Sequence, residues 1–278
     1  MIHSALPADR PLVIFTDLDG TLIDHYSYET RESEAAVQTL AARRIPLVFC
    51  SSKTFAEQVH LQRLLGINQP FIFENGSAAA IPAGFFSEQP YSVSRCENGY
   101  DIVVFAHADA GALRSVLAQI EGIKGFADTS DAELSAATGL AGAALQRART
   151  RWFTETLLTP LNQGRVDALH TILKPQGFVL SRGGRFYTAQ SAGVSKGNAA
   201  RWMMEIFCQT SPQTPCFAAI GDSPNDASML EVVDLPFLVQ RPDESWADMD
   251  IPGMRRVEGV GPAGFSVVVQ LLTATESI

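Results

Sequence analysis

Apolar residues along this chain come in short runs, and a polar or charged tip follows most of them. Leu12 to Phe15 carries no charge and is long enough for a buried strand over 12–16. A helix over Glu32–Arg43, a strand over Pro46–Cys50, a helix over Thr54–Leu65 stopped by Gly66, and a strand over 70–73 follow in turn. Strands alternating with helices at this spacing predict a doubly wound parallel sheet, an α/β core. Ile81-Pro82 to Tyr91, with its Pro and Gly, reads as a hairpin or loop. A further strand spans Tyr100–Ala106 and a helix Ala110–Glu121. Ser130-Asp131-Ala132-Glu133 starts another helix. Ala141–Arg149 reads as helix, Trp152–Leu158 as strand and Arg165–Pro175 as helix. Strands Phe178–Ser181 and Arg185–Thr188 flank Gly183-Gly184. Asn198–Phe207 is helical, and Cys216–Ile220 is a last apolar run.

The tips of these elements carry the candidate chemistry. The first strand runs into Asp17-Leu18-Asp19-Gly20-Thr21. Side chains at i and i+2 of extended backbone point the same way, so both carboxylates can face one small volume. They repel unless a cation or a shared proton lies between them. The second strand ends in Ser51-Ser52-Lys53-Thr54. Ser195-Lys196-Gly197 opens a helix, and the last run ends in Gly221-Asp222-Ser223-Pro224-Asn225-Asp226. In a parallel α/β sheet such strand ends collect the ligand site at one edge. Carboxylates, a hydroxyl and a lysine gathered there suit a divalent metal and a phosphoryl group. Each residue also has a plainer reading. Asp222 and Asp226 beside Pro224 suit a helix cap, and a lysine at a helix start is ordinary.

The block between Ser51 and Lys196 interrupts these tips. The simplest organisation is a core of residues 1–97 and 191–278 with an inserted α/β cap over 98–190. There is no internal repeat and no low-complexity tract.

In order, Asp-Leu-Asp-Gly-Thr, the strand-end Ser51, Lys196 and Gly-Asp-Ser-x-x-Asp resemble the four motifs of the haloacid dehalogenase superfamily of phosphatases. The whole of 15–24, Cys50-Ser51-Ser52-Lys53-Thr54, Glu74-Asn75-Gly76, Thr138-Gly139-Leu140, Phe153-Thr154-Glu155 and Arg182-Gly183-Gly184-Arg185-Phe186 resemble the mannosyl-3-phosphoglycerate phosphatase family. The resemblance runs from about residue 10 to the Pro-rich C-terminal region. It implies a Rossmann-like core and a cap with an antiparallel sheet that closes over the active site. It also implies Asp17 as nucleophile and Asp19 as general acid and then base. Mg²⁺ would be held by Asp17, the Asp19 backbone carbonyl and Asp222, steadied by Asp226 directly or through water. Ser51 and Lys196 would contact the phosphate.

Substrate contacts are expected from Lys53 and Asn75 at the strand ends. In the cap they are expected from Glu155, for sugar hydroxyls, and from Arg182 and Arg185, whose forks suit a glycerate carboxylate. His25, His60, His107 and His170 form no metal-ligand spacing and read as structural or surface residues.

Composition narrows the rest. At 278 residues, 46% hydrophobic and 18% charged, the chain is ordinary globular material. No apolar run approaches the ~20 residues that span a bilayer. Met1 to Arg10 lacks the apolar core of a signal peptide. Cys50, Cys96, Cys208 and Cys216 make no Cys-x-x-Cys pair, which fits a reducing cytosol. A net charge of -9 disfavours nucleic acid as partner. Charge is uneven: residues 141–201 carry +7 and residues 202–278 carry -8. A basic insert facing an acidic half suits an anionic substrate drawn to a metal site.

The resulting expectation is a cytoplasmic Mg²⁺-dependent phosphatase. Its substrate is a small phosphorylated glycoside, a glycosyl-3-phosphoglycerate and first the mannosyl compound, and its product a glycosyl-glycerate compatible solute. Rivals are another sugar phosphatase of the superfamily, a phosphomannomutase-like enzyme and a silent sugar-phosphate binding protein.

Overall fold

The computed structural model describes residues 10–274; the signal-peptide reading of Met1 to Arg10 lies, but for Arg10, outside them. The strands are β1 (Leu12–Thr16), β2 (Leu47–Cys50), β3 (Phe71–Phe73), β4 (Ala78–Pro82), β5 (Arg95–Glu97), β6 (Tyr100–Val104), β7 (Glu155–Leu157), β8 (Phe178–Arg182), β9 (Tyr187–Ser191), β10 (Cys216–Gly221), β11 (Leu235–Gln240) and β12 (Arg255–Val260). The helices are α1 (Glu34–Ala42), α2 (Phe55–Leu65), α3 (Ala110–Leu117), α4 (Asp131–Thr138), α5 (Gly142–Arg149), α6 (Gln163–Leu173), α7 (Lys196–Thr210), α8 (Ala227–Leu230) and α9 (Pro262–Thr273).

Nine strands form one sheet in the order β12-β11-β10-β1-β2-β3-β4-β6-β5. From β12 to β3 every neighbour is parallel; β4, β6 and β5 are added antiparallel. β1 and β10 lie side by side with Thr16 opposite Ile220, which brings the Asp17 and Asp222 tips to the same edge. These central strands are buried on both faces, as their unbroken apolar runs require. One face packs Leu40, Phe55, Phe73 and Phe265; the other packs Phe15, Met203 and Leu238.

A second sheet, β7-β9-β8, is antiparallel. It builds its own small cores, with Leu113, Leu169 and Phe178 in one and Phe126, Leu134 and Leu145 in the other. Strand pairing shifts the expected boundary of the insert. β6, placed in the 98–190 insert by the sequence, pairs along its whole length with β4 of the large sheet. The antiparallel extension is made possible by a turn at Glu74-Asn75-Gly76, all three at positive φ. Gly76 is required there twice over: a Cβ would lie 2.2 Å from the Ser195 carbonyl oxygen. The turn is thereby pressed against the start of α7, which carries Lys196.

Candidate active site

β1 ends at Thr16, and the chain turns from Asp17 through Asp19 and Gly20. Gly20 has φ +82°, and a Cβ there would sit 3.0 Å from an Asp222 oxygen. Glycine thus lets the first and last acidic loops close on each other. Asp17, Asp222 and Asp226 are all buried, and their carboxylates offer ligand atoms within 4.8 Å of one another. Lys196, at the first turn of α7, donates to Asp17 Oδ1 at 2.6 Å and to Asp226 Oδ1 at 2.7 Å. Asp226 Oδ2 accepts the backbone N–H groups of Asp222 and Ser223, so it caps its own turn as well as serving the cluster. Thr21 Oγ1 donates to Asp222 at 3.2 Å.

Three carboxylates against one ammonium leave a formal charge of -2 in a buried space. Burial pushes Asp17 up to about 7 against the pull of Lys196, and Asp226 adds to the rise. Burial also raises Asp222, with Asp226 and Asp17 reinforcing it. Burial alone would lower Lys196, but Asp17 and Asp226 outweigh it and hold the ammonium charged. Oxygen-only donors with an unbalanced -2 fit a hard divalent cation.

Asp19 stands apart from this cluster. Its carboxylate meets Lys53 Nζ at 2.9 Å, and Lys53 also reaches Glu57 at 3.6 Å. Burial would lower Lys53, but Asp19 and Glu57 raise it. Ser51 is 1% exposed, and its hydroxyl accepts the Lys53 N–H at 3.3 Å. Ser52 and Lys53, not Ser51, line the open part of the pocket.

The pocket lies between the large-sheet loops and the cap. Asp17, Asp19, Lys53 and Asp222 line it on one side, and Phe126, Thr138, Arg151, Gly183, Gly184 and Arg185 on the other. Three of the expected substrate residues fall elsewhere. Asn75 donates to Ser181 Oγ (3.2 Å) and Gln190 Oε1 (3.0 Å), so its amide joins the two sheets instead of facing the pocket. Glu155 is fully buried; it pairs with Arg114 at 2.5 Å and accepts the Ala127 N–H, which leaves nothing to offer a sugar. Arg182 lies near the Tyr187 ring and lines a neighbouring cleft. Arg185 does line the pocket, but it donates to the Tyr28 hydroxyl and the Thr138 carbonyl, clamping cap to core.

Several residues of the pocket were not anticipated. Arg151, Tyr28 and Phe126 carry no motif. His25, read as structural or surface, lines the pocket, and its Nδ1 is buried without a hydrogen-bond partner among the described residues. Glu74 was legible as part of a motif but not as a contact. Its carboxylate accepts the N–H groups of Trp152 (2.8 Å), Phe153 (3.0 Å) and Thr154 (2.8 Å) and the Thr154 hydroxyl (2.7 Å).

A buried acid cluster at the edge of a parallel sheet, beneath an inserted α/β cap, defines a haloacid dehalogenase-like hydrolase. The family of that description matches residues 14–102. Two relatives match nearly the whole chain. A glucosyl-3-phosphoglycerate/mannosyl-3-phosphoglycerate phosphatase of Persephonella marina is 33% identical, over 92% of this chain and 94% of its own. A protein of the same name from Methanococcoides burtonii is 34% identical, over 91% and 94%. The chain belongs to this phosphatase family of the haloacid dehalogenase-like hydrolases, and it is a phosphoric monoester hydrolase. Solved structures agree in fold. Protein 0175 of Thermoplasma acidophilum is 17% identical with TM-score 0.63, covering 94% of this chain and 99% of that one. The sucrose-phosphatase of Synechocystis sp. PCC6803 is 16% identical with TM-score 0.60, covering 94% and 97%.

Proposed function

We propose that this chain is a Mg²⁺-dependent phosphatase that releases phosphate from glycosyl-3-phosphoglycerates, with the mannosyl and glucosyl compounds both as substrates. The observation that carries this reading is the buried site of formal charge -2 under a cap that presents arginines, in a chain whose relatives bear that name. Asp17, Asp222 and Asp226 are the side chains that would hold the cation. When bound, it neutralises charge on the phosphoryl oxygens. An Asp17 oxygen attacks phosphorus, and the P–O bond to the glycerate carbon chain breaks. Asp19, on the pocket wall, acts in its protonated form to give a proton to the departing alkoxide, and as the carboxylate paired with Lys53 then takes one from the water that cleaves the aspartyl phosphate. Lys196 holds Asp17 in place through their 2.6 Å contact. Arg185 and Tyr28 fasten the cap over the reacting groups.

The test is phosphate release from mannosyl- and glucosyl-3-phosphoglycerate, sucrose phosphate and a hexose phosphate, with Mg²⁺ and with chelator. Turnover confined to the two phosphoglycerates and abolished by chelator is the expected result. Preference for a carboxylate-free sugar phosphate would refute the substrate class. No helix among the described residues is long and apolar enough to cross a membrane, and all four cysteines are free. A cytoplasmic setting is part of the same proposal.

Cation binding here should depend on pH. Asp17 has a folded pKa of about 7 against 3.8 for the ordinary group. Across that window the metal-free fold holds a proton that the unfolded chain has released. Its contribution to stability is therefore present below pH 3.8 and lost as pH rises through 7. A divalent cation must displace the same proton, so it binds better at high pH. At a fixed Mg²⁺ concentration the rise in Tm should be larger at pH 8 than at pH 6. The Asp17→Asn protein should show a smaller difference, with Asp222, raised by the same burial, keeping a share of it. Equal rises at both pH values in the wild type would contradict the assignment.

A further inference from the structure

Resting on the phosphoglycerate reading above, the geometry points to Arg151 as the residue that reads the substrate carboxylate. It lies two residues past the end of α5, lines the pocket, and reaches both the core side and the cap side of it. Its Nη1 donates to Thr154 Oγ1 at 2.8 Å and to the Ser52 carbonyl at 3.3 Å. Thr154 Oγ1 in turn donates to Glu74, so its one proton is committed and its lone pair faces Arg151. The guanidinium is thereby fixed in direction before any ligand arrives.

The opposite edge of the fork makes no hydrogen bond among the described residues. Arg151 Nε is buried with no hydrogen-bond partner, and Nη2 donates to no acceptor among the described residues. Among the described residues no carboxylate pairs with Arg151, whereas Lys53 is taken by Asp19 and Glu57, and Lys196 by Asp17 and Asp226. The ring of Phe126 lies 6.0 Å from the guanidinium carbon. A buried, oriented Nε–Nη2 edge is a site for a planar two-oxygen anion.

Its position fits one particular anion. In a 3-phosphoglycerate the carboxylate is separated from the phosphate by two further carbons. A group that reads it must therefore sit close to the phosphoryl site. Arg151 holds Ser52, the residue before Lys53, and Lys53 touches Asp19. Arg185 is the less suitable fork, being engaged by Tyr28 and Thr138. The same arrangement rejects substrates without a carboxylate. A plain sugar phosphate would close the pocket over a buried guanidinium edge with no partner, the kind of penalty by which polar sites exclude near-isosteres.

The experiment compares the full-length protein on two substrates: a glycosyl-3-phosphoglycerate and its analogue with the carboxylate reduced to a hydroxymethyl group. Arg151→Gln should lower kcat/KM for the carboxylate substrate by about 10- to 100-fold more than for the analogue, mainly through KM. Arg151→Lys, which keeps the charge and loses the fork, should fall between. Equal losses on both substrates in both variants would show that Arg151 only shapes the pocket, and would overturn the proposal. A wild type that does not hydrolyse the phosphoglycerate at all would overturn the substrate reading, and this proposal with it. The two failures are distinguished by the wild-type measurement alone.

Discussion

Asp17→Asn is expected to lower kcat for a glycosyl-3-phosphoglycerate by roughly four orders of magnitude or more, the scale of losing a nucleophile that works as a unit with its partners. An amide has no anionic oxygen to attack phosphorus, and it removes one donor from the carboxylate cluster. The fold should survive. Asp17 is one of three carboxylates crowded against a single lysine, and its pKa, raised by burial, says that the charged form is uncomfortable there. Asparagine is isosteric, and its carbonyl can still accept from Lys196, which keeps Asp226 as a second partner. The metal-free variant should therefore melt no lower than the wild type above pH 7, where Asp17 is ionised. Activity within tenfold of wild type, in protein free of contaminating phosphatase, would remove Asp17 from the nucleophile's role. A collapse in Tm would instead mean that the carboxylate holds the loop together.

The second large effect is expected at Glu74, which does not itself line the pocket. Its carboxylate takes four hydrogen bonds from the segment 152–154, which leads from α5 into β7. Glutamine has one acceptor and one donor where glutamate has two acceptors. Placed either way round, its NH₂ must face at least one buried N–H. Hydrogen bonds to a charged group contribute about 1.5–3 kcal/mol, and an orphaned buried donor costs a further ~1–3. Glu74→Gln should thus shift the urea midpoint by an amount equivalent to about 2–4 kcal/mol at unchanged m. Amides 152–154 should also exchange faster. Because Thr154 orients Arg151, turnover of the phosphoglycerate should fall as well. A midpoint within about 0.5 kcal/mol of wild type would mean that water or a shifted backbone replaces these bonds.

How much of this was visible beforehand can be judged residue by residue. The parallel strands β1, β2, β3 and β10 were plain, because strands buried on both faces must be uninterrupted apolar runs. The Gly66 stop of α2 was equally legible, since it acts within a few residues. β4 was not, because Ala78-Ala79-Ala80 is apolar without the branched or aromatic residues that mark a strand. No expectation covered β11, β12 or α9, and the 98–190 boundary missed the pairing of β6 with β4. Pairing partners are not encoded in the strand's own pattern.

The site divides in the same way. Asp17, Asp19, Lys53, Asp222 and Asp226 announce themselves, because a strand tip facing the sheet's edge is a local property repeated at each βα turn. Lys196 does so more weakly. Asn75, Glu155 and Arg182 were read as facing substrate because polar residues in motifs suggest contact with a ligand. Their actual partners are Ser181 and Gln190, Arg114, and the face of Tyr187, distant in sequence for all but the last. The chain by itself determined the alternation of strand and helix, the acidic tips and the resemblance they carry, since these depend on neighbours along the backbone. Only the tertiary structure decided which polar groups satisfy one another and which remain open. That depends on which surfaces the cap and the sheet bring together, and it is why Arg151, silent in sequence, stands in the pocket with one edge free.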